Sequence, residues 1–215
     1  MNIFKALAKS LFPQRCAYCG KIISADKLVC EECKNNLPRI KGEKYFVSQI
    51  APFYYDGNVR KGLHSFKFRK SQQNAEAFCE EMADAVNERY PNKHFDYIIP
   101  VPMTSKSIRQ RGYNQVDILC NGVSKLLEIT PEKRILTKLY ETEKQHGISY
   151  LFRKGNLTGV FEVTDPMEVR GKTILLCDDV STSGETFNEC AKMLWLNGAE
   201  AVYCVSLALT KREKK

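Results

Sequence analysis

Residues 174–186 read Ile174-Leu175-Leu176-Cys177-Asp178-Asp179-Val180-Ser181-Thr182-Ser183-Gly184-Glu185-Thr186. Four consecutive apolar residues, too short a run for a helix, predict a buried strand over Thr173–Cys177 that ends in two carboxylates. A hydroxyl-rich turn follows. From Gly184 to Asn197, Phe187, Cys190, Ala191 and Leu194 recur at helical spacing, and Asn197-Gly198 is a stop signal. Strand, acidic end, turn and helix make the first part of a βαβ unit, and such units build parallel sheets with right-handed crossovers. Ligands of open parallel sheets sit at the carboxyl ends of strands. There the N–H groups and dipole of the following helix favour an anion. Ser181, Thr182, Ser183 and Thr186 add hydroxyl donors, and adjacent carboxylates can take ribose hydroxyls, or Mg²⁺ through water. The pattern predicts a phosphate site. Its bland alternative is that Asp179 or Ser183 only caps the helix and Asp178 is solvated.

The alternation continues on both sides of this stretch. Helices are predicted over 74–90, with Ala75, Phe78, Cys79, Met82 and Val86 on one face, and over 114–127, with Val116, Leu119, Cys120 and Val123 inside. Strands are predicted over Asp96–Pro102, 134–139, 157–163 and 201–207, and a polar loop over 140–156. Further upstream, 45–55 is rich in Tyr, Phe and Val, as a strand is. Gly57–Lys70 reads as a basic helix with Arg60, Lys61, Lys67, Arg69 and Lys70, and 2–11 as a short amphipathic helix stopped by Pro13. The expected architecture is α/β: a parallel sheet flanked by helices over 45–215, with a small N-terminal module over 1–44.

Composition sets limits. Of 215 residues 43% are hydrophobic and 27% charged, which describes a folded chain rather than a disordered one. No apolar run approaches the ~20 residues of a membrane span. Residues 1–12 are too short and too interrupted by lysine for a secretory signal, so a cytoplasmic protein is expected. The net charge is +8, and residues 1–75 hold 14 Lys/Arg against 5 Asp/Glu. Such an excess suits an anionic partner, phosphate or nucleic acid, and equally a solvated surface. Tyr45, Phe46, Phe53, Tyr54, Tyr55, Phe66 and Phe68 lie among these cations. They could stack bases, although a sheet edge and core is the favoured reading. His64 and His94 read as surface residues; His146 falls in the polar loop, where it could touch substrate.

Cys16-Ala17-Tyr18-Cys19-Gly20 and Cys30-Glu31-Glu32-Cys33 form C-x2-C-x10-C-x2-C. Four thiolates suit tetrahedral Zn²⁺, and a closed four-cysteine site is a structural staple. The alternatives are scattered reduced thiols or a redox pair. Cys79, Cys120, Cys177, Cys190 and Cys204 lie on apolar faces and read as small buried hydrophobes.

Several of these stretches carry a family resemblance. Residues 174–186 resemble the phosphoribosyl-pyrophosphate motif of type I phosphoribosyltransferases, with Ser183 where a Thr is usual. Pro100-Val101-Pro102 followed by Arg109-Gln110-Arg111-Gly112-Tyr113-Asn114-Gln115 resembles the V-P-V-P…R-x-R-G-[FY]-N-Q of the competence protein F (ComF) family. So do Thr142, Gln145, Ser149, Arg153, Asn156, Gly159 and Phe161 with their spacing, Ile148 replacing the usual Leu. The four-cysteine knuckle agrees, and the resemblance runs from Cys16 to Val205. It implies transfer of a phosphoribosyl group from phosphoribosyl pyrophosphate, with Mg²⁺, to a nitrogen nucleophile that the sequence does not identify. Asp178 and Asp179 would hold the ribose hydroxyls and help place Mg²⁺. Ser181, Thr182, Ser183, Gly184, Glu185 and Thr186 would cradle the 5-phosphate. Lys106, Arg109 and Arg111, with Lys144 and Arg153 from a mobile lid, would face the pyrophosphate; each also suits a surface. The resemblance further implies a link to DNA uptake in natural transformation. A non-enzymatic factor that binds single-stranded DNA, or DNA-uptake and recombination proteins, and uses the site for ligand sensing is the alternative. The basic helix 57–70 is expected to act separately from the acidic pair.

Overall fold

The computed structural model describes residues 13–40, 49–68, 72–139 and 160–211. Its centre is a six-stranded, wholly parallel sheet. In spatial order the strands are β1 (Gln49–Ile50), β8 (Ala201–Leu209), β7 (Thr173–Ser181), β3 (Tyr97–Pro100) and β4 (Thr130–Pro131), and β2 (Phe53–Tyr54) also pairs with β8. The central register sets Ile99 beside Leu176, and Cys177 beside Val205.

Alternation of side chains along these strands gives two cores, one on each face. Leu175 and Cys177 of β7 and Ile98 of β3 face one core. Beyond the short α1 (Glu31–Asn36), they meet there α2 (Gly57–Phe68), α3 (Ala75–Arg89) and α5 (Gln115–Leu127) through Leu63, Phe66, Phe78, Met82, Leu119 and Val123. Ile174, Leu176 and Ile99 face the other core. That core is closed by α7 (Glu185–Leu196), through Phe187, Cys190, Ala191 and Leu194, and by an antiparallel pair, β5 (Leu136–Lys138) with β6 (Phe161–Val163). The α/β class read from the sequence is therefore the one observed. The five remaining cysteines are buried as expected.

The structure moves several boundaries. The predicted 45–55 strand becomes two short pieces in its described part, parted at Ala51 and Pro52, because proline has no N–H to give a ladder. Strand β7 runs past Cys177 through both acids to Ser181, since β8 continues to Leu209 and supplies partners up to Ser181↔Leu209. The stretch after Pro102, which the sequence marks as a loop by its prolines, is partly helical. It holds α4 (Ser105–Arg111), started by Thr104, whose hydroxyl accepts from Ser107 N, and ended by Gly112 at φ 79°. A one-turn helix α6 (Pro166–Val169), with Asp165 as its cap, escaped the sequence reading. The expected helix 2–11, loop 140–156 and N-terminal part of the 45–55 strand lie outside the described residues.

The knuckle packs into the first core. Tyr18 is 2% exposed and meets Phe53 and Phe78 with ring centroids 5.8 and 5.3 Å away. The side-chain amide of Asn74, itself buried, donates to Ala17 O at 3.0 Å. Phe53 and Phe66 are wholly buried, as the core reading of the aromatic run requires, while Phe68 is 60% exposed.

Candidate functional site

The two acids stand at the carboxyl end of the central strand but face different surroundings. Asp179 is 5% exposed, and both of its oxygens are engaged. Oδ1 accepts from Lys67 Nζ at 2.7 Å and Oδ2 from Gln115 Nε2 at 2.8 Å. Lys67 sits in the last turn of α2 and Gln115 opens α5, so one carboxylate ties two helices to β7. Asp178 is half-buried, and its Oδ1 accepts from Asp179 N at 2.7 Å. Loss of water around it, and then the charge of Asp179 beside it, push the Asp178 carboxyl up to about 8, while Lys67 and Arg111 pull in the opposite direction.

The turn behaves as its composition requires. Ser181 is buried at the strand end, whereas Thr182, Ser183, Glu185 and Thr186 are exposed. Gly184 takes φ 80° to enter α7, and no side chain caps the helix from that position. Ser183 Oγ accepts from Glu185 N at 3.4 Å. The first turn of a twelve-residue helix thus opens onto the same edge as Asp178.

Of the predicted cations, Arg111 comes to the site: its charge reaches Asp178, and its guanidinium lies 5.6 Å from the Phe68 ring. Lys106 and Arg109 are exposed on the same short helix. Lys144, Arg153 and His146 lie outside the described residues. His64 and His94 are exposed, as read.

Two site residues escaped the sequence reading. The sequence groups Lys67 with a basic helix face independent of the acids, and the structure overturns that separation, because its ammonium pairs with Asp179 at 2.7 Å. Gln115 stood in the quoted Arg109–Gln115 motif without a role. The motif is a helix-to-helix connection: Gly112 ends α4, Asn114 caps α5 by accepting from Val116 N and Asp117 N, and Gln115 reaches the acid.

The second constellation is the knuckle. The sulfur atoms of Cys16, Cys19, Cys30 and Cys33 all lie within 4.8 Å of one another, and those of Cys19 and Cys30 are 3.7 Å apart. Tetrahedral Zn²⁺ with Zn–S of ~2.3 Å needs sulfurs about 3.8 Å apart, so the set fits the ion. Cys30 N is directed at Cys16 Sγ, Cys33 N at Cys30 Sγ and Asn58 Nδ2 at Cys33 Sγ, at 3.4, 3.5 and 3.4 Å. Such donors favour thiolate over thiol. Gly20 at φ 78° makes the turn after the first pair. This is a structural zinc site.

Residues 7–44 match the double zinc ribbon domain family. Over 91% of its length the chain is 28% identical to the DNA utilization protein YhgH of Escherichia coli K12, of which it covers 90%. Over 89% it is 29% identical to Competence protein F of Haemophilus influenzae, of which it covers 84%. The crystal structure of a purine phosphoribosyltransferase from Pyrococcus horikoshii aligns over 65% of this chain and 77% of that one, at 15% identity and a TM-score of 0.39. The ComF resemblance drawn from the motifs thus extends to relatives of that name along nearly the whole chain. Among the described residues no helix is long and apolar enough to cross a membrane.

Proposed function

We propose that the edge formed by Asp178, the Ser181–Gly184 turn and the start of α7 binds phosphoribosyl pyrophosphate and transfers its phosphoribosyl group to a nitrogen nucleophile, in a protein that serves DNA uptake. The carrying observation is the division of labour between the acids. Asp179 is held from behind by Lys67 and Gln115, whereas the half-buried Asp178 has its Oδ1 on Asp179 N and faces away from those two side chains along the strand. Asp178 is followed by the exposed hydroxyls of Thr182, Ser183 and Thr186 and by the start of α7, where Ser183 Oγ takes the Glu185 N–H, groups that suit the ribose hydroxyls and the 5-phosphate respectively. Gln115 Oε1 is buried without a partner, an acceptor beside the acids that a ribose hydroxyl would satisfy.

In the reaction the bond from ribose C1 to the pyrophosphate oxygen breaks, with its electron pair leaving on pyrophosphate, and a C1–N bond forms. Positive charge grows on the ribose in between, and Asp178 in its ionised form, which is favoured above about pH 8, would stabilise that charge. Lys106, Arg109, Arg111, Lys144 and Arg153 are the cations proposed for the departing pyrophosphate. Mg²⁺, when bound with the ligand, would neutralise the pyrophosphate oxygens. A second reading, ligand sensing without transfer by a factor that contacts single-stranded DNA or DNA-uptake proteins, draws support from the names of the relatives, which concern DNA utilization and competence.

Calorimetry with phosphoribosyl pyrophosphate tests the site. Binding should require Mg²⁺ and weaken at least tenfold in Asp178→Asn, about 1.4 kcal/mol. Equal affinity in a folded variant would overturn the proposal. Release of pyrophosphate in the presence of an amine or base acceptor would separate transfer from sensing.

A further inference from the structure

Part of the positive charge of the N-terminal third is gathered at one place. Between the zinc knuckle and α2 lies a cavity of about 640 Å³. Arg15 lines it from the knuckle, and Arg60, Lys61 and His64 line it from α2, His64 standing one turn on from both as i+4 and i+3. The lone carboxylate in its wall, Asp56, pairs with Lys211 at 2.9 Å, accepts from Gly57 N and also feels the charge of Arg60, so the three cations outnumber it. Among the described residues no carboxylate pairs with Arg15, Arg60 or Lys61. Gly57, the first residue of the twelve-residue helix, also lines the cavity and turns the positive end of the helix dipole toward it. Like charges converging on a concave surface repel one another, and an anion between them relieves that repulsion.

The size narrows the anion. A cavity of this volume falls in the range of small-molecule sites, ~300–1,000 Å³, and exceeds what one inorganic phosphate fills. None of the residues of the acid pair or its turn lines it. We infer that this cavity binds a multiply charged phosphate ester, from a free nucleotide or from a short run of a phosphodiester chain, at a site separate from Asp178. Arg15, Arg60 and Lys61 hold the phosphates, and the knuckle fixes the wall opposite α2. Zinc thereby shapes a binding surface as well as the fold.

The test uses the full zinc-loaded chain with two probes, ADP and a fluorescein-labelled oligothymidylate, at ~50 mM salt, where phosphate contacts are strong. At least one probe should bind. Its affinity should fall tenfold or more in the Arg60→Gln/Lys61→Gln double variant and persist in Asp178→Asn. Binding of ADP alone identifies a free nucleotide as the source, binding of the oligonucleotide alone identifies a strand, and binding of both identifies shared phosphate recognition. With the oligonucleotide, loss of two contacts should also lower the salt slope by about 1.4. Should the double variant melt early, the single Arg15→Gln variant serves in its place. Failure of both probes to bind, binding that survives loss of these charges, or binding that disappears in Asp178→Asn would overturn the inference. Since Asp178→Asn separates the two sites, failure here leaves the proposed transferase site untouched.

Discussion

At the scale of single residues, the Lys67–Asp179–Gln115 contact decides how the acid pair works. Lys67 and Asp179 have side chains only 16% and 7% exposed, so each needs the other. Lys67→Met would leave a buried carboxylate with one amide donor, at a cost of about 3 kcal/mol, and adding Asp179→Asn should recover most of that loss. Urea unfolding of the two single variants and the double variant checks the coupling; additive effects would refute it. Asp178 behaves oppositely. Its carboxyl is pushed up to about 8 in the folded protein, above the ordinary aspartate value, so the folded state holds the proton more tightly. The stability this confers is complete below about pH 4 and is lost as pH rises toward 8. Asp178→Asn should therefore match wild type near pH 4 and exceed it at pH 8.5 in Mg²⁺-free buffer, by roughly 2–4 °C in Tm for each kcal/mol gained. A wild-type advantage at pH 8.5 would contradict the burial argument. Asp178 and Asp179 were legible in the sequence as a pair, because both follow one apolar run. Their separate environments were not, because Lys67 lies 112 residues from Asp179 and nothing local relates them.

Among the elements, α2 joins the first core, the acid pair and the basic cavity. Its buried face, Val59, Leu63 and Phe66, enters the first core, its last turn delivers Lys67, and another side lines the basic cavity. Gly62 allows the helix to touch the knuckle: a Cβ there would stand 2.7 Å from Ala17 O and 3.0 Å from Tyr18 Cα. Both are backbone atoms and cannot swing aside. Gly62→Ala gains about 0.5–1 kcal/mol of helix propensity, but overpacking costs roughly 1–3 kcal/mol. The net effect should be destabilisation by about 1–2 kcal/mol, readable as a lower urea midpoint; a rise in that midpoint would show that the knuckle yields. The sequence disclosed α3, α5 and α7 well, because their apolar positions recur at clean helical spacing against a buried sheet. It disclosed short pieces poorly. Helix α6 is four residues long, too short to show a period, and β4 is a two-residue bridge that includes Pro131. The extent of β7 depended on ladder partners supplied by β8, which no local pattern of Asp178 and Asp179 could announce.

For the whole molecule, the question is how far zinc supports the sheet. The four thiolates close a site whose ion, in small peptides, contributes on the order of 10 kcal/mol to folding. A loosely attached knuckle would keep that energy to itself. Here Cys16, Ala17, Tyr18, Cys33 and Leu37 belong to the same buried cluster as Phe53, Phe78, Leu175 and Val205. Tyr18, packed between two aromatic neighbours, hides on the order of 200 Å², so exposing it costs on the order of 5 kcal/mol. That is a large share of the ~5–15 kcal/mol that holds a domain together. Zinc removal should therefore lower the melting of the entire protein by roughly 10 °C or more, in one cooperative transition, rather than release the N-terminal part alone. Cys16→Ser, which weakens the site without a chelator, should do the same. Metal analysis should find about one zinc per chain. A sheet that melts unchanged after zinc is stripped, with only residues near the knuckle becoming open to protease, would show that the shared core counts for less than its burial indicates. The strand-end site distinguishes the two outcomes independently: the phosphate probes must lose the basic cavity in both, because the knuckle forms its wall, whereas the strand-end site loses its ligand only if the sheet depends on zinc.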